Sequence, residues 1–570
     1  MGWQNDERQE TGQSVSLFRP ALFCLNIQDH SRQSLIDLWL RQKAASRSIN
    51  FLQLWRSHMR SRIPALVCTL ICGMILYSAP LLAQQKTAFE VGSKSQLFID
   101  HELVYEARGV SFTQHQGKKF SQEPLFVADQ PCEGWAVQLY GTVMYDADEE
   151  LFKMWYDGSA SDYFSREVTF YATSRDGIHW DKSHVGTIPS RNGKPHNAVA
   201  DCLLASVIKD RSDPDASRRY KMVCYQYDRG YRSMVSPDGL HWREFAPETI
   251  VPISYVDDVV TACWSEPHQV FITFPKNPIP VMGRLRRTLF SSTSPDFVHW
   301  SKLEPALVAD RRDDLGSRVR AERVRPLLNY RDNYNVMRTE IYGTGAYAAE
   351  SCLLTFPWMF TVTANVTGIG NHEGPMEVQM AVSRDLVHWE RPFRTPIIEP
   401  GRISKSEAEW DSGMFSTAAY GFDYRDEVWL YYYGANFTHG APIPAEGPSA
   451  EERKKYRSGV GLVTWKKDRF VSVDAAADEG VLTTIPVRFT GNRLEVNAHV
   501  KPGGSLTVEL LDIGLRPISG YPRSKPVAGD SMKHVIEIGD QQDVSKLVGE
   551  PVVLQFRMTN AELYAFAFRK

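Results

Sequence analysis

From Ser95 to the last residue, apolar side chains gather in short β-prone runs divided by Gly, Pro, Asn and Asp. That pattern predicts an all-β protein made of many short strands. Gln96-Leu-Phe-Ile-Asp100 and Leu103-Val-Tyr105 read as edge strands placed to close a ring by pairing with the last repeat. The runs 140–145 and 151–156 flank a polar turn, and comparable pairs recur at 203–209 and 219–225, at 259–264 and 270–274, and at 341–347 and 352–363.

One stretch returns four times: Ser174-Arg-Asp176-Gly-Ile-His179-Trp180, Ser236-Pro-Asp238-Gly-Leu-His241-Trp242, Ser294-Pro-Asp296-Phe-Val-His299-Trp300 and Ser383-Arg-Asp385-Leu-Val-His388-Trp389. Each follows a β-prone run and carries turn chemistry, so each marks a strand, a tight turn and a return strand. Successive Trp residues stand 62, 58 and 89 positions apart, room for about four short strands per repeat, as in a propeller blade. A fifth repeat lacks His-Trp but keeps Trp410-Asp-Ser-Gly-Met414 and the apolar runs 427–433 and 459–464. The predicted fold is therefore a five-bladed β-propeller over 95–474, followed by a small C-terminal β-sandwich over 478–570, where apolar alternation is divided by Pro502-Gly-Gly504 and a Pro/Gly-rich stretch.

An enzyme needs one acid/base pair and this motif appears four times, so its Asp is expected to cap the turn and its Trp to fill the space between blades. The longer third interval holds a charged insertion, Asp310 to Asp332, expected to be a solvated loop or short helix; Arg318, Arg320 and Arg323 are its candidates for a pocket wall.

The formal charge of −3, with acids and bases interspersed, offers no basic stripe for nucleic acid. Of eight Cys, the five after residue 84 lie at no metal-ligand spacing and read as buried small apolar residues. Met59-Arg-Ser-Arg62, an uncharged run 63–82 and Ala83-Gln84 have the parts of a secretory signal peptide. The expectation is export to the periplasm or beyond, with 59–83 removed, 1–58 an extension without a folded role, and no stable membrane partner. The run is also long enough to anchor the chain in a bilayer through 63–83.

The repeated motif, the strands Lys153-Met-Trp-Tyr156 and Tyr220-Lys-Met222, Trp410-Asp-Ser-Gly-Met414 and Leu482-Thr-Thr-Ile-Pro486 resemble exported bacterial five-bladed proteins related to glycoside hydrolase families 32 and 43. The resemblance covers about residues 95–570. It implies a carbohydrate substrate and hydrolysis of glycosidic bonds by carboxylates at one mouth of the propeller axis. The chain departs from family 32 in having neither a Trp-x-Asn-Asp-Pro-like nor an Arg-Asp-Pro motif, so no catalytic residue carries over by motif.

Residues that begin the inner strands of a propeller converge. Reading each repeat there gives Tyr140, with Glu133 and Trp135 nearby, then Asn197, Asp258, Glu340 and Asp411. Three consecutive repeats thus offer a carboxylate, and glycoside hydrolysis needs two across the scissile bond. Glu340 is expected as general acid, Asp258 as base or nucleophile and Asp411 as the group that tunes them. Glu133, Trp135, Tyr140, Asn197, Arg338 and His372 are expected to contact substrate, with Asp100 and Glu377 as reserve acids and Trp264 as a further stacking candidate. No metal is required, although a structural calcium would suit an oxygen-rich axis. The second reading is a non-catalytic glycan-binding or surface scaffold propeller.

Overall fold

A computed structural model describes residues 88–570 apart from 160, 227–228, 246–256, 367–371, 405–406, 444–448, 450 and 453–454. The expected extension 1–58 and the signal or anchor segment 59–83 lie outside the described residues.

The propeller has five antiparallel blades. Blade one is Val137–Asp146, Leu151–Gly158, Thr169–Ser174 and Ala198–Ala200; blade two is Leu203–Lys209, Tyr220–Gln226, Gly230–Ser236 and Arg243–Glu244. Blade three is Val260–Ser265, Val270–Val281, Arg284–Ser294 and Glu304–Leu307. In blade four, Arg338–Ala348 pairs with Leu353–Val362, which pairs in turn with Met376–Val378 and Ala381–Ser383. Blade five orders Met414–Thr417, Glu427–Ala435 and Ser458–Lys466, with Phe422–Tyr424 also on the middle strand.

The first strands of the five blades touch in the order one to five and back to one, which makes them the wall of the axis. Strands of different blades diverge, so side chains satisfy backbone groups between them. Thr142 donates to the Ala205 carbonyl (3.2 Å) and accepts from the Val207 N–H (2.8 Å), Thr261 donates to Thr344 O (2.7 Å), and Ser416 to Leu139 O (3.0 Å). The second strands are buried on both faces, which is why they read as near-continuous apolar runs. Lys153 is the exception within one of them; its ammonium is met by Asp146 (2.8 Å), Glu149 (2.7 Å) and the Tyr220 hydroxyl (2.8 Å).

The repeated motif builds the blade junctions. In the first copy, Asp176 Oδ1 accepts from the N–H groups of Ile178 and His179, both at 2.8 Å, and Oδ2 meets His179 Nδ1 at 2.7 Å. The same bonds recur at Asp238, Asp296 and Asp385. All four His rings are exposed. Each turn leans on the preceding blade: Tyr431 of blade five donates to Gly177 O (2.6 Å), and Trp155 of blade one to Gly239 O (2.8 Å). Trp180 packs on Tyr431, and Trp389 on Phe274 of blade three.

Ring closure differs from the sequence expectation. The N-terminal strand that completes blade five is Lys118–Lys119, paired to Val463 and Thr464. Gln96–Leu97, Val104–Arg108 and Val110–Gln114 instead join the C-terminal sheet, because Phe98, Leu103 and Phe112 find their apolar partners there. In that eight-stranded sheet, Val553–Arg569 pairs along its length with Arg493–Leu511 on one side. On the other side it pairs in turn with Gly480–Thr484, Val471–Ala475 and Gln96–Leu97. Its core, from Phe98 and Leu494 to Phe566, is separate from those of the blades. Ion pairs Asp100–Arg384 (2.9 Å) and Glu350–Arg569 (2.8 Å) fasten it to blade four.

Candidate active site

At the end of the axis where the inner strands begin, a hairpin of blade three projects beyond its inner strand. The inner strand's pairing with its neighbour starts at Val260 and Pro275, so residues 276–289 run past it, turning at Met282 (φ 49°) and Gly283 (φ 76°). Two successive positive φ values form the tight turn that suits a twisted hairpin. This projection brings Lys276 to Asp258, Arg287 to Glu340 and Arg284 to the Asn335 carbonyl. The inner strands of blades one, two and four are also out of regular register near this end, between Gln138 and Thr142, Leu203 and Ser206, and Ile341 and Thr344. Such bulges re-aim side chains, and Tyr140 and Tyr342 lie within two of them.

Glu340, buried at the start of the blade-four inner strand, is clamped by two guanidinium groups: Arg287 Nη1 reaches Oε2 at 2.6 Å and Arg338 reaches Oε1 at 2.6 Å. Asp258 accepts from Lys276 Nζ at 2.5 Å, and the same ammonium lies 3.3 Å from Asp257. Lys276 sits 4.0 Å from the centre of the Tyr342 ring, and Arg287 5.3 Å from it, so the two ion pairs share one aromatic floor. His372 contacts Arg338 (3.3 Å) and Arg287 (3.4 Å), while His439 bonds the Tyr342 hydroxyl (3.1 Å) and the His372 carbonyl (3.0 Å). Asp258, Glu340, Arg338 and His372 are thus brought together.

Their protonation follows from these partners. Burial alone would raise Glu340, but Arg287 and Arg338 override it and hold the carboxyl below its ordinary value. Burial likewise opposes Asp258, and the Lys276 charge wins, whereas burial keeps neighbouring Asp257 raised. His372 is lowered to about 4, first by burial and then by Arg287. Glu340 is therefore a carboxylate at neutral pH and is unsuited to the expected role of proton donor.

A different carboxyl group has the donor's properties. Asp157, the penultimate residue of the second strand of blade one, is buried at the same end of the axis, and burial pushes it up to about 8. Among the described residues its oxygens accept only from the Leu204 N–H, at 3.3 Å each, too little to hold a full charge in an apolar setting. Tyr140 feels both groups: its phenol is raised by burial, then by the charges of Tyr342, Tyr433, Asp258 and Asp157. Its ring packs 5.4 Å from Trp358 of blade four.

The remaining candidates are engaged elsewhere. Asp411 is paired with Lys119 of the closing strand (2.6 Å) and accepts from the Tyr432 hydroxyl (2.8 Å); among the described residues no contact joins it to Glu340 or Asp258. Glu133 is fully buried and saturated by the N–H groups of Asp129 and Gln130 (2.9 Å each), the Tyr156 hydroxyl (2.5 Å) and Lys182 (2.8 Å). Asn197 precedes the outer strand of blade one and donates to Tyr156 (2.8 Å) and Tyr171 O (2.8 Å), so it does not begin an inner strand. Trp135 stays half-buried near Phe437 (6.2 Å), and Trp264 packs on Phe271. Of the reserve acids, Asp100 serves the C-terminal sheet, and Glu377 accepts from Gln379 (3.0 Å).

The charged insertion is the helix Arg311–Arg323, capped by Asp310 and Asp313, with Arg320 buried against Thr339 (2.6 Å) and Thr361 (2.7 Å). Among the described residues no three carboxylate, His or Cys groups converge that could hold a metal ion.

No protein-family model and no curated protein matches the chain. Among solved structures it is similar to an N-acetylgalactosamine deacetylase from F. plautii in complex with blood group B trisaccharide, at 10% identity over 67% of this chain and 97% of that one, TM-score 0.34. A glycosyl hydrolase from Bacteroides ovatus gives 11% over 67% and 95%, TM-score 0.33. A β-1,2-mannobiose phosphorylase from Listeria innocua gives 12% over 61% and 96%, TM-score 0.36.

Proposed function

We propose that this chain is an exported glycan-active enzyme that hydrolyses glycosidic bonds at the mouth of the propeller. The reading rests on one observation: two carboxyl groups at the same end of the axis are held in opposite states, Asp157 neutral with only the Leu204 N–H against it among the described residues and Asp258 ionised by Lys276. Environments that push two carboxyl groups apart assign an acid and a base. Asp157 gives its proton to the leaving glycosidic oxygen as the bond to the anomeric carbon breaks. Asp258 takes a proton from the water that adds to that carbon, or itself adds to the carbon before water displaces it. Glu340 holds Arg287 and Arg338 in place over the substrate. The expected tuning role of Asp411 is replaced by that of Lys276, which keeps Asp258 charged.

A second reading, a non-catalytic glycan-binding propeller, is favoured by the 2.5 Å Lys276–Asp258 bond, which occupies one oxygen of the base. Release of reducing ends from an oligosaccharide panel separates the two. Wild type should cleave and Asp157→Asn and Asp258→Asn should not; binding without cleavage by wild type selects the second reading, and cleavage untouched by both changes rejects the site.

A further inference from the structure

Beside the Glu340 cluster lies a cavity of about 320 Å³ lined by Gly283, Arg284, Leu285, Val336, Arg338, Asn365 and His372. Its charge is one-sided. Arg284 and Arg338 line it, Arg287 stands behind Arg338 on Glu340, and among the described residues Glu340 is the single carboxylate bonded to any of these guanidinium groups. Arg284 spends a donor on the Asn335 carbonyl, a neutral partner, and Arg338 spends one on Val336 O (2.9 Å). Of the two guanidinium groups that line the cavity, the buried Arg338 shares Glu340 with Arg287, and the exposed Arg284 keeps guanidinium N–H donors for a ligand that supplies negative charge. The neighbours register the one-sided charge: Arg338 is lowered first by burial, with Arg287 and Arg284 adding to the effect, and His372 is kept neutral between two guanidinium groups.

Hydrogen-bond chemistry narrows the ligand. Guanidinium forks match planar or tetrahedral oxyanions, while the exposed Asn365 side chain beside them suits a hydroxyl of a sugar ring. We infer that the cavity is a subsite for an oxyanion borne by the glycan, a uronate carboxylate or a sulfate ester, gripped by Arg284 and Arg338 next to His372. This rests on the glycan-active reading and adds the substrate class: acidic rather than neutral polysaccharide.

The test is calorimetric titration of the full chain with oligogalacturonate, oligoalginate and sulfated oligosaccharides, each beside its carboxyl-reduced or desulfated counterpart, and with free sulfate. The acidic form of at least one pair should bind ten-fold or more tightly than its neutral counterpart. Arg284→Gln, a change at an exposed side chain, should remove that preference, and bound anion should move the His372 imidazole titration upward from about 4. The member of the panel that binds tells carboxylate from sulfate. Equal affinity for acidic and neutral forms overturns the subsite and leaves the glycan-active reading standing. Binding of free sulfate as tight as the sugar, with the same loss in Arg284→Gln, overturns the claim that the anion is sugar-borne. Failure of every glycan, acidic or neutral, to bind rejects both readings.

Discussion

The Leu204 N–H, fixed by a backbone φ of 60°, points between the two carboxyl oxygens of Asp157 at 3.3 Å from each. This contact crosses from blade one to blade two at the end where the inner strands begin, and with burial it leaves Asp157 protonated up to about pH 8. A proton donor of that kind gives a distinctive profile. The acid form is lost as pH rises through about 8, while Asp258 stays ionised far below neutrality. The expected kcat/KM therefore has a plateau through neutral pH and an upper limb near 8. Asp157→Asn should lower the plateau by about 10²–10⁴ and abolish that limb. A wild-type profile flat through pH 9 would remove Asp157 from the mechanism.

The same group sets a pH-dependent stability. The folded-state value of Asp157 is raised above its unfolded one, so its contribution is intact below about pH 4 and is lost as pH climbs towards 8. At pH 7 the difference is on the order of 4 kcal/mol. Asp157→Asn should therefore be more stable than wild type at pH 7 and equal to it near pH 4 in urea denaturation. Equal midpoints at both pH values would mean that Asp157 is already ionised in the fold.

Glu340 tests the opposite case, a buried carboxylate with two cationic partners. Removing one member of a buried ion cluster leaves the others unpaired and costs about 3–5 kcal/mol. Glu340→Gln is expected to lose that much stability while any residual activity keeps its upper limb near pH 8. Loss of the limb without loss of stability would return the acid role to Glu340.

The blade count was legible in the sequence because four copies of one turn motif mark four strand pairs, and Trp410-Asp-Ser-Gly-Met414 with the apolar runs after it opens the fifth. The positions of Asp258 and Glu340 at the starts of inner strands were legible for the same reason, since periodicity defines where an inner strand begins. Lys276 and Arg287 were hidden because they lie on a projection of blade three, where strand length, not repeat position, carries them to the mouth. Asp157 ends Lys153-Met-Trp-Tyr-Asp157, and the available signal was a lone carboxyl closing a strand buried on both faces. Asp411 misled because a strand start fixes where the backbone is and not which neighbour the side chain meets; Lys119, 292 positions earlier, could be paired with it only once the ring was closed.

That pairing makes Asp411 a clasp. Lys119 belongs to the two-residue strand that completes blade five, and its ammonium, largely buried, meets a carboxylate that is 2% exposed. Asp411→Asn and Lys119→Met should each destabilise by about 3–5 kcal/mol, and the double variant by clearly less than their sum, since the second change removes a charge the first left unpaired. Additive losses would show that the two residues act separately. Abolished turnover with unchanged stability would give Asp411 back its expected place at the axis.

The repeated motif makes a prediction of its own through the residue after its Asp. Gly177 and Gly239 have φ of 76° and 80°; Phe297 and Leu386 stand at the matching place with 65° and 63°, so four copies share one left-handed turn and two tolerate a side chain in it. The preceding blade decides which. A Cβ on Gly177 would come within 2.7 Å of both Trp429 and the Tyr431 hydroxyl, whereas Phe297 is fully buried in a cluster that includes the small Val223 of blade two. Filling the junction from one side therefore excludes filling it from the other. Gly177→Ala should cost about 2–3 kcal/mol, strain of about 1–2 kcal/mol plus the displacement of Tyr431. Phe297→Gly should also destabilise, by about 3 kcal/mol, because the cavity it opens outweighs the relief of the backbone. Chemical denaturation of both variants is the measurement. A stabilising Phe297→Gly would show that strain, and not the packing of one blade on the next, governs these turns.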